Sequence, residues 1–388
     1  MSWRETNVGE FVSIKHGFAF KSKDFSDAGS HIVLTPGNCH NDGGFKSKGD
    51  KEKWFTGEVP PDYLLSEGDL IVVMTDLVQS APVLGGAFKI PDNDKFLHNQ
   101  RLGLVQIKED AEIHSDFLYH LFNTHAYRGQ VRGSASGATV RHTSPGRILD
   151  CCISVPDLPT QERIAGVLSA YDDLIENNRR RIALLEQAAR LLYREWFVHF
   201  RFPGYETAKF IDGLPEGWVN GTLGDLMTLK RGYDLPASKR QEGDIPIVSS
   251  SGITGYHKAK MADGPGIVTG RYGTIGEVYF VDGPYWPLNT ALYVSDKKNN
   301  PPLYLFHALK QILHNIQSDK AAVPGVNRNV LHEMRVGLPP RETKDAFEEK
   351  LRPISDQKRV LTEANKKLAK ARDLLLPRLM DGRLPIPE

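Results

Sequence analysis

The sequence predicts an α+β protein with two mixed, strand-rich α/β domains, separated by two long helices that form an antiparallel coiled coil. Two sequence features predict this fold. First, the segment WRETNVGEFVSIKHGFAF, which begins at Trp3, recurs as WVNGTLGDLMTLKRGYDL from Trp218. Second, each copy continues with short apolar runs between Gly, Pro, Asn and Asp residues, and then with a long run that has coiled-coil spacing.

The two openings align without a gap. The aligned pairs are Trp3 with Trp218, Gly9 with Gly224, Lys15 with Lys230, and Gly17 with Gly232. The copies also close alike, because TQERI from Thr160 opens one helical run and TKDAF from Thr343 opens another. Two copies of a globular unit, each followed by a rod, favour recognition of a two-part target over chemistry in a single cleft.

Length and charge set the limits of this interpretation. The chain has 388 residues, which is enough for two domains with cores of their own. The formal net charge is only +1. Contact with nucleic acid would therefore depend on local clusters of Lys and Arg, and the composition neither supports nor excludes it.

Other features concern location and cofactors. No charged-then-apolar segment opens the sequence, and apolar runs such as residues 70–74 are far shorter than a membrane span. The three cysteines give no disulfide framework, and the 13 histidines fall in no metal-ligand spacing with them. We therefore expect a cytoplasmic protein with no membrane contact and no metal site.

Apolar periodicity predicts the elements within each domain. In the first copy we expect strands at residues 32–34, 70–74 and 102–107, followed by a short helix around residues 117–122. In the second copy we expect strands at residues 245–248, 266–268, 278–281 and 291–294, followed by a helix over residues 303–312. The matching order predicts that the two domains share one plan.

The long helical runs carry a coiled-coil seam in which the spacing alternates between four and three residues. In the first helix the predicted seam comprises Ile164, Leu168, Tyr171, Ile175, Asn178, Ile182, Leu185, Ala189, Leu192 and Trp196. In the second helix it comprises Phe347, Leu351, Ile354, Leu361, Asn365, Leu368, Leu375 and Leu379, with Lys358 and Arg372 at two further positions of the same register. The seam positions of each helix form two columns, in which residues recur every seven positions. The second seam is weaker because one of its columns carries Lys358, Asn365 and Arg372.

We expect Thr160 and Thr343 to cap the two helices, although the nearby prolines could shift the starts. Each helix would span about 35 to 40 residues, or about 55 Å. A helix of this length cannot bury a seam against itself, so pairing of the two helices is the simplest arrangement. They could act as a spacer, or as a hairpin that only packs the domains together.

These boundaries divide the chain into six segments. Residues 1–157 form the first domain, 158–202 the first helical spacer, and 203–217 a linker. Residues 218–340 form the second domain, 341–382 the second helical spacer, and 383–388 a tail.

Taken together, the motifs resemble the specificity subunit of type I restriction–modification systems. The resemblance covers nearly the whole chain. Besides the duplicated opening, it rests on LPTQERI (residues 158–164), LYREWF (192–197) and RLMDGRL (378–384), in that order. The order and duplication of these motifs make the match specific.

The resemblance implies a subunit that is not itself an enzyme. In that family, two target-recognition domains each read one half of a split double-stranded DNA sequence. Helical regions separate the domains and carry two methylase subunits, and motor-nuclease subunits join the restricting complex. S-adenosylmethionine and ATP with magnesium would then bind only in partner subunits. The two recognition domains differ strongly between their shared ends, so the two half-sites should differ as well.

Base reading requires polar side chains on loops or helix ends, and small residues let backbone approach phosphates. In the first domain two segments are candidates, a flexible basic loop around residues 46–51 and the run RGQVRGSASGATVRH from Arg128. Their candidate DNA-binding residues are Lys46, Lys48, Arg128, Arg132, Ser134, Ser136, Thr139, Arg141 and His142. The alternative for both segments is an ordinary solvated loop.

In the second domain, the run VPGVNR (323–328) is predicted to occupy the place of residues 137–142. The candidates are Ser249, Ser250, Ser251, His257, Lys258, Lys260, Arg271, Tyr272, Asn327 and Arg328. For Arg271 and Tyr272 the alternative is a hairpin turn. On the helices, Arg179–Arg181 and Tyr193–Phe197 are candidates for methylase docking, with a solvated face as the alternative for the arginines.

Signals for catalysis are weak. Asn300-Pro301-Pro302-Leu303 is similar to the loop by which adenine methylases hold a flipped base, but Leu303 stands where the aromatic should be. We therefore interpret it as a helix-entry turn. The segment Gly270–Gly276 has Gly-x-x-Gly-x-x-Gly spacing but no Walker lysine, so it is not a phosphate-binding loop. A two-headed scaffold that binds protein or glycan ligands remains the alternative function.

Overall fold

The computed structural model describes residues 3–271, 276–318 and 326–384. The chain divides into two compact units, the first comprising Met1–Asn177 and Ala364–Glu388 and the second Asn178–Glu363. The boundary between them falls within both long helices. Among the described residues, none of the helices is both long and apolar enough to cross a membrane.

The first unit contains twelve described strands and most of the elements expected from its sequence. Its helices are α1 (Ser115–Phe122), α2 (His125–Ser134), α3 (Pro145–Leu149) and the start of α4 (Leu158–Phe197). Its strands are β1 (Arg4–Asn7), β2 (Val12–His16), β3 (Phe25–Ser26), β4 (His31–Val33), β5 (Trp54–Phe55), β6 (Leu70–Val73), β7 (Thr75–Asp76), β8 (Ala87–Lys89), β9 (Phe96–Leu97), β10 (Leu102–Ile107), β11 (Arg141–His142) and β12 (Cys152–Val155).

Two four-stranded sheets form the body of the first unit. One is antiparallel with the order β2-β10-β6-β8, and the other has the order β3-β5-β4-β9 with β4 and β9 parallel. The pairs β1-β12 and β7-β11 form two-stranded ribbons. The β1-β12 ribbon joins the opening of the chain to the strand that precedes α4.

The second unit repeats this plan. Its helices are α5 (Leu223–Leu226), α6 (Pro302–Ser318), α7 (Arg328–Glu333) and the start of α8 (Arg341–Met380). Its described strands are β13 (Phe210–Ile211), β14 (Leu214–Pro215), β15 (Val219–Thr222), β16 (Thr228–Arg231), β17 (Ile245–Ser249), β18 (Gly252–His257), β19 (Gly266–Gly270), β20 (Val278–Val281), β21 (Trp286–Pro287), β22 (Ala291–Asp296) and β23 (Arg335–Leu338).

The four-stranded antiparallel sheet, one two-stranded ribbon and one parallel strand pair correspond in the two units. The antiparallel order β16-β22-β19-β20 matches β2-β10-β6-β8, the ribbon β15-β23 matches β1-β12, and the parallel pair β17-β21 matches β4-β9. Among the described residues, the hairpin β13-β14 of the linker has no counterpart in the first unit, and strand β3 and the ribbon β7-β11 have none in the second. The duplication in the sequence is therefore a duplication of topology.

The repeated glycine of the Lys-x-Gly motif has a structural cause. A Cβ atom on Gly17 would lie 2.1 Å from the carbonyl oxygen of Asn99, and a Cβ on Gly232 would lie 2.3 Å from the carbonyl oxygen of Leu288. Asn99 and Leu288 occupy equivalent places, because each pairs in parallel with the residue after its glycine. In both units, only glycine allows these two backbone segments to approach each other.

Alternation along the central strands gives each unit two apolar layers. In β6, Leu70 and Val72 face the cluster that contains the start of α4, while Ile71 and Val73 face the second sheet. In β19, Ile267 and Val268 divide in the same way. Strand β6 reads as a continuous apolar run because both of its faces are buried.

The helices α4 and α8 pack together antiparallel, as predicted, and each is 40 residues long. Within the first unit, Asn365 Nδ2 donates to the carbonyl of Ile175 at 3.2 Å. Within the second unit, Lys358 Nζ lies 2.7 Å from Glu186. Residue numbers rise along one helix as they fall along the other, and every predicted seam position is buried or half-buried.

The predicted N-caps, Thr160 and Thr343, were each wrong by three residues. Helix α4 begins at Leu158, where the Asp157 carboxylate accepts a hydrogen bond from the Thr160 backbone N–H at 2.9 Å. Asp157 is therefore the cap, and Thr160 lies in the first turn. Helix α8 begins at Arg341, so Thr343 also lies inside its helix. A proline stands at each start, since Pro159 is the second residue of α4 and Pro340 directly precedes α8.

Candidate nucleic-acid interface

The run from Arg128 to His142 is not the single loop that its glycine and serine content suggested. Its first half completes α2, which ends at Ser134, and its last two residues form β11. Gly129 and Gly133 are helical, and their exposed faces meet no neighbouring atoms. Only residues 135–140 are irregular, so the candidate residues of this run divide between a helix and a short loop.

Arg128 lies in the interior of the first unit. Its guanidinium donates from Nη1 to the carbonyl of Asn41 at 2.6 Å and from Nη2 to the carbonyl of Pro82. Burial lowers the pKa of this arginine from its ordinary value. Because these donors are used inside the domain, we leave Arg128 out of the interface.

The remaining candidates border a closed loop, Ser136–His142. The backbone groups of Ser136 and His142 exchange two hydrogen bonds of 2.9 Å, and β11 pairs with β7. The hydroxyl of Thr75 lies 3.0 Å from His142 Nδ1. These contacts hold the loop on β7, which follows β6 of the central sheet, and leave Thr139 exposed.

The arginines beside the 136–142 loop have separate roles. Arg141 Nη2 donates to the carbonyl of Arg132 at 2.9 Å, at the carboxyl end of α2. Ser134 Oγ donates to the carbonyl of Val131 in the same last turn. Arg147, which the sequence did not single out, is exposed and donates to Ser136 Oγ at 3.2 Å. A basic face thus surrounds the loop, in which Arg147 is exposed and Arg132 and Arg141 are half-buried.

A second exposed segment lies beside this loop. Residues 77–80 follow β7 directly, and Leu77 and Val78 are exposed. The Asp76 carboxylate fixes the turn by accepting from the backbone N–H groups of Val78 at 3.1 Å and Val83 at 2.8 Å. Exposed apolar side chains next to cationic ones are suited to contact the methyl group of thymine. No motif marked this segment in the sequence.

The basic loop around Lys46 is more ordered than predicted. The buried side chains of Asn38 and Glu52 hydrogen-bond at 3.1 Å, and Glu52 Oε1 accepts from the Lys48 backbone N–H at 2.6 Å. Lys48 Nζ lies 3.7 Å from Glu52 and 3.2 Å from Thr35 Oγ1. Burial lowers the pKa of Lys48, and the charge of Glu52 opposes this. Lys48 therefore stabilises the loop, whereas Lys46 is exposed and available.

In the second unit, the predicted serines form the turn between β17 and β18. Ser249 is buried, with its Oγ 3.0 Å from Ser251 Oγ. The backbone N–H of Ser250 reaches Thr290 Oγ1 at 3.5 Å. Ser250 and Ser251 are the accessible members of this turn.

The basic residues of β18 and of the segment after it also divide into a buried one and exposed ones. His257 is buried: its Nδ1 accepts from the Gln241 backbone N–H at 3.0 Å, and its ring packs against Trp286. Lys258 is exposed, and Lys260 forms an exposed ion pair with Asp263. Of these residues, Lys258 best fits a contact with phosphate.

Arg271 corresponds in position to Met74 of the first unit. Its backbone N–H donates to the carbonyl of Thr290 at 3.0 Å, and its carbonyl accepts from Val326 at 2.9 Å. Met74 makes the equivalent bonds with Arg101 and Thr143. Tyr272 and residues 323–325 lie outside the described residues.

This correspondence corrects the predicted alignment of VPGVNR. Val326 takes the place of Thr143, so the alignment was wrong by three residues. Asn327 caps α7 by accepting from the Asn329 backbone N–H at 2.9 Å, as Ser144 caps α3. Arg328 is exposed at the start of α7.

Asn300 has a structural role consistent with a helix-entry turn. Its side chain donates to the carbonyl of Leu226 at 2.9 Å and accepts from Lys344 Nζ at 2.7 Å. Helix α6 begins at Pro302. Among the described residues, no group of three His, Cys, Asp or Glu side chains is placed to hold a metal ion.

Comparison with known proteins identifies the family. A family model for the type I restriction modification DNA specificity domain matches residues 2–187 and 215–369. The MjaIX specificity subunit of Methanocaldococcus jannaschii is 25% identical over 309 residues, which cover 71% of this chain and 70% of that protein. The HindI specificity subunit of Haemophilus influenzae is 22% identical over 387 residues, covering 77% of this chain and 84% of that protein.

The fold comparison agrees. The S subunit of a type I restriction-modification system from M. genitalium matches with a TM-score of 0.56, covering 100% of this chain and 97% of that chain. Its sequence identity is 15%, so this likeness supports the fold alone. Because the family model spans both copies of the repeat, the chain belongs to the family of type I restriction–modification specificity subunits.

Proposed function

We propose that each recognition domain reads one half of an asymmetric, bipartite site in double-stranded DNA. The observation that carries this proposal is a shared scaffold with different exposed segments. The sheet orders correspond in the two units, while the side chains beside the ends of β6 and β19 differ, with Met74 replaced by Arg271. Equivalent scaffolds with different surfaces suit two half-sites of different sequence.

We propose no catalytic role for this chain. Two methylase subunits, each supplied with S-adenosylmethionine, would methylate one adenine in each half-site. Motor-nuclease subunits, using ATP and magnesium, would join the restricting complex. The helix pair would set the spacing of the half-sites, since a 40-residue helix is about 60 Å long.

The test is co-expression with the cognate adenine methylase in a host that lacks this system, followed by sequencing that detects methyladenine. We expect methylation at one split motif whose two halves differ. The methylase expressed alone should give none. If the complex assembles but methylation has no split motif, the DNA-recognition proposal fails, and a scaffold for protein or glycan ligands becomes the better account.

For methylase docking, we propose the outer face of α4 in the second unit. Leu184 and Leu191 are 64% and 45% exposed, and they stand seven residues apart, which places them on one face two helical turns apart. An exposed apolar stripe of this kind is typical of a surface that binds another helix. Tyr193 and Trp196, the docking candidates from the sequence, are instead buried in the core of this unit.

A charged substitution on this stripe is expected to prevent assembly. The double variant Leu184→Glu/Leu191→Glu should lose co-purification of the methylase, because two carboxylates would have to be buried in the contact. Ala183→Glu adds a charge to an exposed position about 100° around α4 from Leu184 and serves as the matched control. Helix content, measured by circular dichroism, should stay unchanged in both variants. Retention of the methylase by the double variant would refute this docking face.

A further inference from the structure

One short turn has the same backbone anchoring in both units. In the first unit it is Asn99–Arg101, directly before β10; in the second it is Leu288–Thr290, directly before β22. In the first turn, the Gln100 N–H donates to the carbonyl of Phe18 at 3.0 Å, and the Arg101 carbonyl accepts from Met74 at 3.0 Å. This turn is therefore held from two sides.

The second turn repeats these bonds. The Asn289 N–H donates to the carbonyl of Tyr233 at 3.0 Å, and the Thr290 carbonyl accepts from Arg271 at 3.0 Å. The glycine of the Lys-x-Gly motif makes room for each turn, since a Cβ on Gly17 or Gly232 would strike its backbone. The duplicated motif thus preserves a rigid turn at one point of each domain.

The side chains that these turns carry are different. Gln100 and Arg101 are exposed, and neither side chain has a hydrogen-bond or ion-pair partner among the described residues. At the same positions, Asn289 donates to the Asp234 carboxylate, and Thr290 Oγ1 accepts from the Ser250 N–H. One backbone therefore presents a donor-rich pair in the first unit and an amide oxygen with a hydroxyl in the second.

Both turns border the candidate interface. Met74, which bonds to Arg101, also accepts from the Thr143 N–H at 2.9 Å, next to the 136–142 loop. Arg271, which bonds to Thr290, accepts from Val326 in the same way. Each turn thus lies beside the segments that carry the accessible polar and cationic side chains of its domain.

We propose that these turns are specificity-determining elements: Gln100 and Arg101 contact base edges in one half-site, and Asn289 and Thr290 do so in the other. The inference rests on the proposed function. Arginine bonds guanine through two donors, and glutamine or asparagine bonds adenine, in the major groove. Because Asp234 holds the amide nitrogen of Asn289, its oxygen is left to accept from adenine N6 or cytosine N4.

The test uses the complex with the cognate methylase and duplexes that each differ by one base pair from the motif of the wild-type protein. For Arg101→Ala and Gln100→Ala we expect preference at a base of one half-site to fall about tenfold to hundredfold, the range for loss of a bidentate contact. The other half-site should be read as before. Asn289→Ala should change preference only in that other half-site.

Two further variants separate base reading from charge and folding. Arg101→Lys keeps the charge without the forked donors, so affinity should persist while preference is lost. Lys108→Ala removes a cation that follows the same strand at its far end, and it should leave both half-sites unchanged. The bonds that anchor the first turn to Phe18 and Met74 are made by backbone groups, so truncation of Gln100 or Arg101 should not unfold it.

The outcomes are distinct. If the wild-type complex methylates a split motif while Gln100, Arg101 and Asn289 variants keep all base preferences within about twofold, the inference is overturned and the proposed function stands. If the wild-type complex recognises no split motif, the proposed function fails and the inference fails with it.

Discussion

Replacement of Phe347 by alanine is expected to lower the free energy of unfolding of the second unit by about 3 to 5 kcal/mol. Phe347 is fully buried at a seam position of α8. Its ring centroid lies 4.9 Å from that of Phe197, 5.6 Å from that of Trp196 and 5.8 Å from that of Tyr193. Alanine would leave a cavity among these rigid rings, which cannot collapse to fill it.

Hydrogen exchange in urea can measure this loss through the protection of α6, which packs on the same cluster. Val360→Ala is the matched control, because Val360 is 60% exposed on the same helix and in the same unit. It should change stability by less than about 0.5 kcal/mol. A similar, small effect of both variants would show that the seam contributes little to this unit.

The seam could be predicted from the sequence because it depends only on spacing along one helix. The steps of four and three identified Phe347 and Trp196 as buried positions, and both are buried. The same spacing could not reveal that Tyr193, Phe197 and Tyr304 would complete an aromatic cluster around them. That cluster depends on where α6 packs, which is a tertiary contact between distant segments.

The strands were also predictable, whereas the interface was predictable only in part. Residue type placed the exposed Thr139 and Lys258 in the same set of candidates as Arg128 and His257, which are buried. Arg128 is buried because it donates to the carbonyl of Asn41, and His257 because its ring packs against Trp286. Both partners come from distant parts of the chain. The turns at Gln100 and Asn289 were missed because no motif falls on them. The repeated glycine that makes room for them lies more than fifty residues earlier.

Replacement of Arg372 by alanine is expected to destabilise the first unit by about 3 kcal/mol. Arg372 is 7% exposed, and its guanidinium lies 2.6 Å from Asp172 and 3.0 Å from Asp42. Asp172 also accepts from the Tyr119 hydroxyl at 3.2 Å. Loss of the arginine would leave the half-buried Asp172 carboxylate without its cation, which costs more than the contact itself contributes.

The stability of the first unit should also depend on pH through His120, whose Nδ1 lies 3.8 Å from the Asp172 carboxylate. Burial, with a smaller contribution from the charge of Arg372, lowers the pKa of His120 to about 3. The unfolded chain therefore binds this proton first, and stability should fall as the pH decreases from about 6.5 towards 3. In Arg372→Ala the folded-state pKa should rise, so urea midpoints measured between pH 4 and pH 6 should depend less on pH.

Lys358→Ala provides the sharpest control, because Lys358 and Arg372 belong to the same polar column of the seam and the sequence gives them equal weight. Lys358 and its partner Glu186 are 38% and 48% exposed, so we expect the free energy of unfolding to fall by at most about 1 kcal/mol.

A double-mutant cycle of Arg372→Ala with Asp172→Asn, which keeps an acceptor for Tyr119, should give a coupling of about 1 kcal/mol or more. Additive effects in that cycle would show that Arg372 acts through packing of its stem. A real coupling would make Arg372 an ion-pair link between α8, α4 and the loop of Asp42 within the first unit.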